Sequence, residues 1–451
     1  MKNIFGTDGI RGRAGVLPMD AMGLASIGKA FGVWLRSCCT DTKDRPSVLI
    51  GKDTRNSGDM LSAALAAGLM DSGVDVMDGG ILPTPAVALA VRSGKASAGA
   101  VISASHNPYY DNGVKFFTQR GMKLSDDDEE KISALFMKTW TEKNINIMGR
   151  MLPASDILQD YISFILTKAG EGHSLNGMKL VLDTAHGAMY QAAPEVFRAL
   201  GAEVHVLAAE PDGMNINEGV GSQHTELLCR HVTEKKAHAG FAFDGDGDRL
   251  IAVDAYGKKI SGDTLLAIFA RSAMEKGQLN PPVLVSTVMS NLGLKESLEQ
   301  AGIVHEVTGV GDRQVLQRMH EKGALIGGED SGHLIFLGPH CTGDGLFAAV
   351  LLARLCKKKP LHELAACMRT YPQVLVNIPV KKKISLEKLP GVQREIEAAE
   401  KHLGNMGRIL VRYSGTEPLC RIMVEAESEE EARAVCDKVQ KAMEIDAGLY
   451  A

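Results

Sequence analysis

Asp244-Gly245-Asp246-Gly247-Asp248-Arg249 sets a carboxylate at every second residue, with glycines between. Three such groups repel one another unless a cation neutralises them, and their hard oxygens suit Mg²⁺. The run opens like the D-x-D-x-D of an EF-hand, but Arg249 stands where that loop needs Gly and Ala255 where it needs Glu. The flanks, Ala239 to Phe243 and Leu250 to Asp254, read as strands, whereas an EF-hand needs helices. The expectation is a metal loop between strands, with Asp244, Asp246 and Asp248 as ligands.

Three further segments carry reactive groups. Ser103-Ala104-Ser105-His106-Asn107-Pro108 follows an apolar strand, Ala98 to Ile102, and Asn-Pro forces a turn. Ser105 would then be presented at a strand's end, where open α/β sheets keep their ligands. There is no G-x-S-x-G elbow, which disfavours acyl transfer. Gly327-Gly328-Glu329-Asp330-Ser331-Gly332-His333 offers hydrogen bonds for sugar hydroxyls; if extended, it sets Glu329 and Ser331 on one face and Asp330 on the other. Arg412-Tyr413-Ser414-Gly415-Thr416-Glu417-Pro418, with Arg421 beyond, could surround a phosphate with forked donors. Each of the three alone could be an ordinary polar turn.

The elements that must position these loops repeat. A strand, a helix closed by Gly and a second strand run through Ser47–Val76, Lys179–Leu207 and Pro282–Val307, with Gly73, Gly201 and Gly302 as the helix stops. Such crossovers imply parallel strands. The last eighty or so residues lack them and read as three strands and a charged helix, a smaller α+β unit. The fold class expected is three similar α/β domains with mixed, largely parallel sheets in series plus that C-terminal domain. The boundaries give 1–152 with the serine loop, 153–254 with the metal loop, 255–368 with the glycine-rich loop and 369–451 with the arginine loop. Acidic runs at Ser125–Glu130 and Glu429–Glu431 read as helix starts.

The 451 residues, 45% hydrophobic and 23% charged, suit a globular chain with well-formed cores. A net charge of −5, with Lys381-Lys382-Lys383 as the longest basic run, argues against nucleic acid. No apolar stretch approaches a membrane span, and the start carries no export signal. Eight cysteines without a C-x-x-C pair fit reduced thiols and a cytoplasmic setting.

Taken together and in this order, the four loops resemble the α-D-phosphohexomutase family, most closely its bacterial members that act on glucosamine phosphates. Phe5-Gly6-Thr7-Asp8-Gly9-Ile10-Arg11-Gly12 and Tyr110-Asp111-Asn112-Gly113-Val114-Lys115-Phe116-Phe117 are also similar to that family, and the likeness spans nearly the whole chain. The resemblance implies four domains around a central cleft, a phosphorylated Ser105, and Mg²⁺ held by Asp244, Asp246, Asp248 and a phosphoserine oxygen at Ser105. It places Glu329, Ser331 and His333 on a sugar-reading loop, and Arg412, Ser414, Gly415, Thr416 and Arg421 on a phosphate loop. Arg11, His106, Lys115 and Arg249 would line the reaction centre, with Lys115 and His333 as candidate general base and acid. Lys115, Arg249 and Arg11 are the cations expected to offset the carboxylates and the phosphoserine.

The activity implied interconverts glucosamine 6-phosphate and glucosamine 1-phosphate through glucosamine 1,6-bisphosphate (or glucose 1,6-bisphosphate as activator), feeding UDP-N-acetylglucosamine and cell-wall precursor synthesis. The partner is a small phosphosugar, with no nucleic acid and no membrane, and a homodimer is compatible. Glucose or mannose phosphates are the alternative substrates; a phosphosugar-binding regulator and a metal-dependent phosphatase are rivals from other classes. Asp330 and Cys341 depart from what relatives often carry, which bears on sugar preference.

Overall fold

The computed structural model describes residues 3–6, 8–39, 45–138, 148–154, 156–380, 383–413 and 418–446. By contact they form two units, 1–289 with 302–367, and 290–301 with 368–451.

The first unit holds three sheets. β1 (Ile10–Arg13), β2 (Ser47–Lys52), β3 (Asp75–Ile81), β4 (Ala98–Ile102), β5 (Asp111–Phe117) and β6 (Met151–Leu152) lie in the order β1-β5-β4-β2-β3-β6. The β4-β2-β3-β6 part is parallel, while β5 runs antiparallel to β4 and β1. Period-two alternation sorts the side chains. Val48 and Ile50 face a core with Phe31, Leu61 and Leu65 from helices Ala21–Cys38 and Gly58–Asp71. Leu49 and Val101 face the other way, onto Val87 of helix Thr84–Arg92 and onto Ile157. With both faces covered, the middle of β2 (Val48–Gly51) and all of β4 are apolar, as buried parallel strands must be.

The second sheet contains β7 (Lys179–Asp183), β8 (Glu203–Leu207), β9 (Ala239–Phe243), β10 (Leu250–Asp254) and β11 (Lys259–Ile260), ordered β11-β10-β9-β7-β8. β7 is parallel to β8 and β9, and β9-β10 is an antiparallel hairpin. The third contains β12 (Val283–Thr287), β13 (Val304–Thr308), β14 (Ile326–Gly328) and β15 (Leu334–Phe336), ordered β13-β12-β14-β15, again ending in an antiparallel hairpin. Gly73, Gly201 and Gly302 all take positive φ where helices stop, as their placement in the sequence implied.

The second unit is an antiparallel sheet of β16 (Gln373–Pro379), β17 (Arg408–Tyr413) and β18 (Leu419–Glu425) in the order β16-β18-β17. Helices Pro390–Leu403 and Glu429–Asp446 bury Val392, Val435 and Val439 with Val374, Ile422 and Val424. Helix Leu292–Gln300 belongs to this unit although it lies between β12 and β13 in sequence. Leu292 N donates to Glu425 Oε2 (2.9 Å), and Asn291 Nδ2 donates to the Tyr371 carbonyl (2.9 Å). Among the described residues, no helix is long and apolar enough to cross a membrane.

Candidate active site

Ser105 sits just past the carboxyl end of β4, beside Asp53 at the same end of its parallel neighbour β2. Its backbone adopts φ 53°, a left-handed conformation that costs a non-glycine residue free energy and persists only when its surroundings enforce it. The enforcement is visible. Ser105 N donates to Ser103 Oγ (2.9 Å), which donates to Asp53 Oδ2 (2.6 Å). The fully buried Arg55 side chain donates to Asp53 Oδ2 (2.9 Å) and to the carbonyls of Ser105 (3.0 Å) and Asn107 (2.8 Å). Asn217 Nδ2, in the loop that follows β8, donates to the same two carbonyls. The loop is thus clamped from two sides.

The metal loop is the turn of the β9-β10 hairpin, and it meets that serine. Ser105 Oγ donates to Asp244 Oδ2 at 2.5 Å. Gly245 allows the approach: a Cβ there would lie 2.6 Å from the Ser105 carbonyl oxygen. Carboxylate oxygens of Asp244, Asp246 and Asp248 lie within 4.8 Å of one another, all three buried. Burial, then the charges of Asp248 and Asp246, push the Asp244 carboxyl well above its usual range. Asp246 Oδ1 and Asp248 Oδ1 are buried acceptors without a hydrogen-bond partner. Converging hard oxygens with unspent lone pairs fit a divalent cation such as Mg²⁺.

Cations enter from β5, from β1 and from the β9-β10 turn. Lys115 Nζ lies 2.8 Å from Asp246 Oδ2, 3.1 Å from Asp248 Oδ2 and 3.4 Å from Asp8 Oδ2. Burial opposes its charge, but these carboxylates prevail and hold the ammonium well above its ordinary pKa. In this geometry Lys115 suits donating a proton or balancing charge; a general base would need the neutral amine. Arg11 pairs with Asp8, and Arg249 Nε stands 3.8 Å from Asp248 Oδ1. His106 Nδ1 is 3.4 Å from Ser105 Oγ; burial, then Arg249 and Arg11, lower its pKa to about 4, which keeps the ring neutral.

The glycine-rich loop is not extended. Glu329 N donates to the His333 carbonyl (3.0 Å) and Gly332 N to the Glu329 carbonyl (3.0 Å), closing a tight β14-β15 turn. The strand-like alternation of Glu329, Asp330 and Ser331 therefore does not apply, because Gly332 at φ 90° folds the chain back. Glu329 Oε1 accepts from Gly311 N (3.1 Å), and Ser331 Oγ has no hydrogen-bond partner. The turn is joined to the metal loop by a bridge between His333 and Arg249 and by Leu250 N donating to the Gly332 carbonyl (2.9 Å). His333 is buried, its Nε2 3.5 Å from Asp312 Oδ2 and 3.8 Å from Asp248 Oδ2. A Cβ on Gly343 would lie 2.4 Å from Nε2, so only glycine leaves room for the ring.

The first unit therefore brings Ser105, His106, Lys115, Arg11, Arg249, His333 and the three aspartates into one charged cluster, with Glu329 and Ser331 on the adjoining turn. In the second unit, Arg412 and Arg421 occupy directly opposed positions on β17 and β18. Burial, then Arg421, lowers the pKa of Arg412. Like charges across a strand pair destabilise it unless an anion offsets them. Ser414, Gly415 and Thr416 lie outside the described residues.

Sequence reasoning missed several members. Asp8, Lys123 and Asp312 form a linked set, Lys123 pairing with both carboxylates. Thr84 donates from Oγ1 to Asp246 Oδ2 (2.6 Å) and from its backbone N–H to the Asp246 carbonyl (2.9 Å), setting a helix amino terminus against the metal loop. Asp53, Arg55 and Ser103 were missed too. Their one available signal was position, since Asp53-Thr54-Arg55 follows an apolar strand as Ser103-Ala104-Ser105 does.

Four domain models of phosphoglucomutase/phosphomannomutase match the chain: alpha/beta/alpha domain I at residues 2–143, domain II at 159–257, domain III at 261–371 and the C-terminal domain at 375–442. The phosphoglucosamine mutase of Syntrophobacter fumaroxidans is 46% identical, covering 99% of this chain and 100% of that one. That of Thermus thermophilus is 44% identical over 98% of each chain. A phosphoglucomutase/phosphomannomutase family protein from Burkholderia thailandensis superposes with a TM-score of 0.83 at 26% identity, covering 98% of this chain and 97% of that one. By domain order, full-length similarity and fold, the chain belongs to the phosphoglucomutase/phosphomannomutase family.

Proposed function

We propose that this protein interconverts glucosamine 6-phosphate and glucosamine 1-phosphate through a phosphorylated Ser105 and a 1,6-bisphosphate. The observation that carries the reading is the Ser105 hydroxyl bonded to Asp244 at 2.5 Å inside a buried carboxylate and cation cluster. Full-length similarity to phosphoglucosamine mutases supports the aminosugar over glucose or mannose.

In the first half-reaction the O1 hydroxyl of glucosamine 6-phosphate attacks the phosphorus of phospho-Ser105. The O1–P bond forms, the Oγ–P bond breaks, and the hydroxyl proton passes to His333, whose buried ring nitrogens have no hydrogen-bond partner. The 1,6-bisphosphate then turns end for end. In the second half-reaction Ser105 Oγ attacks the 6-phosphorus, the Oγ–P bond re-forms as the O6–P bond breaks, and His333 returns its proton to the departing O6, leaving glucosamine 1-phosphate and phospho-Ser105. Lys115 and Arg249 offset charge on the equatorial oxygens as it shifts, already oriented by their carboxylates. Asp244, Asp246 and Asp248 would hold Mg²⁺ with a phosphoserine oxygen, and the ion would supply further positive charge beside the transferring group. Glu329 and Ser331 are assigned to sugar hydroxyls, and Arg412 and Arg421 to the phosphate that is not reacting. With Ser105 1% and Lys115 2% exposed, little water reaches the phosphoserine, which favours transfer over hydrolysis. The setting is cytoplasmic, supplying UDP-N-acetylglucosamine and cell-wall precursors.

Side-by-side kcat/KM values for glucosamine, glucose and mannose 6-phosphates test the reading. Glucosamine 6-phosphate should lead; a clear preference for either neutral sugar overturns the substrate assignment. Intact mass should show one phosphate on the wild type and none on Ser105→Ala.

A further inference from the structure

Away from the reaction centre, helices Ile157–Lys168, Gly262–Glu275 and Gly345–Cys356 enclose a cavity of about 460 Å³ against the β14-β15 hairpin. Its floor is apolar. Phe336 packs edge-on to Phe269 (centroids 5.1 Å apart) and tilted against Phe347 (5.6 Å), with Leu351 and Leu355 alongside. Its rim is basic: Lys168, Lys276, Arg354 and Lys358 line it, and no Asp or Glu does.

Among the described residues no ion pair is formed by these four side chains. Arg354 donates to the Ala169 carbonyl and to His173 Nε2 (3.0 Å), both uncharged acceptors, since His173 Nδ1 donates in turn to the Glu171 carbonyl (2.7 Å). Lys168, Lys276 and Lys358 make no ion pair among the described residues, whereas Lys115 and Lys123 at the reaction centre each face carboxylates. Burial, then Lys358 and Arg354, lower the pKa of Lys276, and the opposing charge of Glu275 does not outweigh them. Each lysine lies in or just past the last turn of a helix, where the macrodipole tolerates a cation without requiring a carboxylate.

We propose that this cavity is a second binding site, for a phosphomonoester carrying an apolar chain. The chain lies on Phe269, Phe336 and Phe347, and the phosphate meets Lys276, Arg354 and Lys358 at the rim. The cavity has the size of small-molecule sites, and its charge complements an anion rather than a cation. Its floor strands β14 and β15 carry the Glu329–His333 turn at their other ends, so an occupant would touch the hairpin that reads the sugar.

Calorimetric titration of the full-length protein with octyl phosphate tests this, with inorganic phosphate and 1-octanol as the other arms. Octyl phosphate should bind at one site, on the order of a hundredfold tighter than inorganic phosphate, as burial of about four methylenes implies. It should bind tighter than 1-octanol as well. Lys276→Gln with Lys358→Gln should weaken it roughly tenfold or more through lost charge-assisted bonds. Ala273→Trp, filling the cavity from the half-exposed flank of its helix, should abolish it. Both variants should keep wild-type mutase turnover, which shows that they fold. Binding equal to 1-octanol or to inorganic phosphate, unchanged binding in the double lysine variant, or displacement by glucosamine 6-phosphate would each overturn the proposal. Equality with 1-octanol or indifference to the lysines would leave an apolar cavity without a phosphate contact, equality with inorganic phosphate would leave only helix-terminal charges, and displacement would place the probe at the reaction centre.

Discussion

Replacing Gly245 by Ala tests whether close approach of two loops, and not their residue content, sets the rate. Gly245 is not in the left-handed region, so the methyl group adds no backbone strain. Its cost is steric. The new Cβ would lie 2.6 Å from the Ser105 carbonyl oxygen, 2.8 Å from Ile216 Cδ1 and 3.0 Å from Asn217 Nδ2. Restoring ordinary contact requires the serine and metal loops to part by about 0.8 Å. The serine loop cannot yield cheaply, because Arg55 and Asn217 hold its carbonyls. Ångström-scale misplacement of reacting groups costs on the order of 10²-fold in rate, so kcat should fall about 30- to 100-fold. KM should change little, since no sugar-reading group moves. Overpacking should also lower unfolding free energy by about 1–3 kcal/mol. A coupled turnover assay, with phosphate occupancy read by intact mass, separates slow transfer from failure to become phosphorylated. Gly58→Ala, whose Cβ would meet nothing closer than 3.4 Å, is the control. A fully phosphorylated Gly245→Ala enzyme with wild-type kcat would refute the argument.

Three other perturbations follow from the same geometry. Arg55→Ala leaves buried Asp53 without its counter-charge and releases two loop carbonyls, which should cost about 3–5 kcal/mol of stability in urea unfolding; a loss below 1 kcal/mol would mean the clamp is dispensable. Asp246→Asn should weaken Mg²⁺ binding at least roughly tenfold by calorimetry, and an unchanged Kd would remove Asp246 from the ligand set. Burial raises Asp183 to about 6 despite bonds from the Gly221 and Ala185 amides. Because the folded pKa exceeds the unfolded one, the native state binds the extra proton between about pH 4 and 6, and stability falls as pH rises through that window. Asp183→Asn cannot ionise, so its stability relative to wild type should improve by about 3 kcal/mol from pH 4 to 7. A pH-independent difference would contradict the buried-carboxyl account.

Local pattern determined much of this protein. Apolar strands with both faces covered, positive-φ glycines ending helices, and the Ser125 N-cap whose Oγ accepts from Asp128 N are consequences of neighbouring residues, and they were legible one segment at a time. So were the chemical groups themselves: an Asp-Gly-Asp-Gly-Asp turn needs a cation wherever it sits. Tertiary structure decided what those groups face. That Asp8 and Asp312 share Lys123, that Asp312 approaches His333, and that Arg55 reaches the Ser105 carbonyl depend on residues 21 to 189 positions apart. Spacing along the chain carries no record of such distances, because loop closure costs only logarithmically more for longer loops and so barely restricts which loops can meet. The Glu329–His333 turn shows the same limit at short range: composition allowed an extended run, and the β14-β15 pairing folded it into a hairpin. Lys115 makes the point energetically. Its sequence neighbours are apolar, and only carboxylates from two distant loops keep its buried charge.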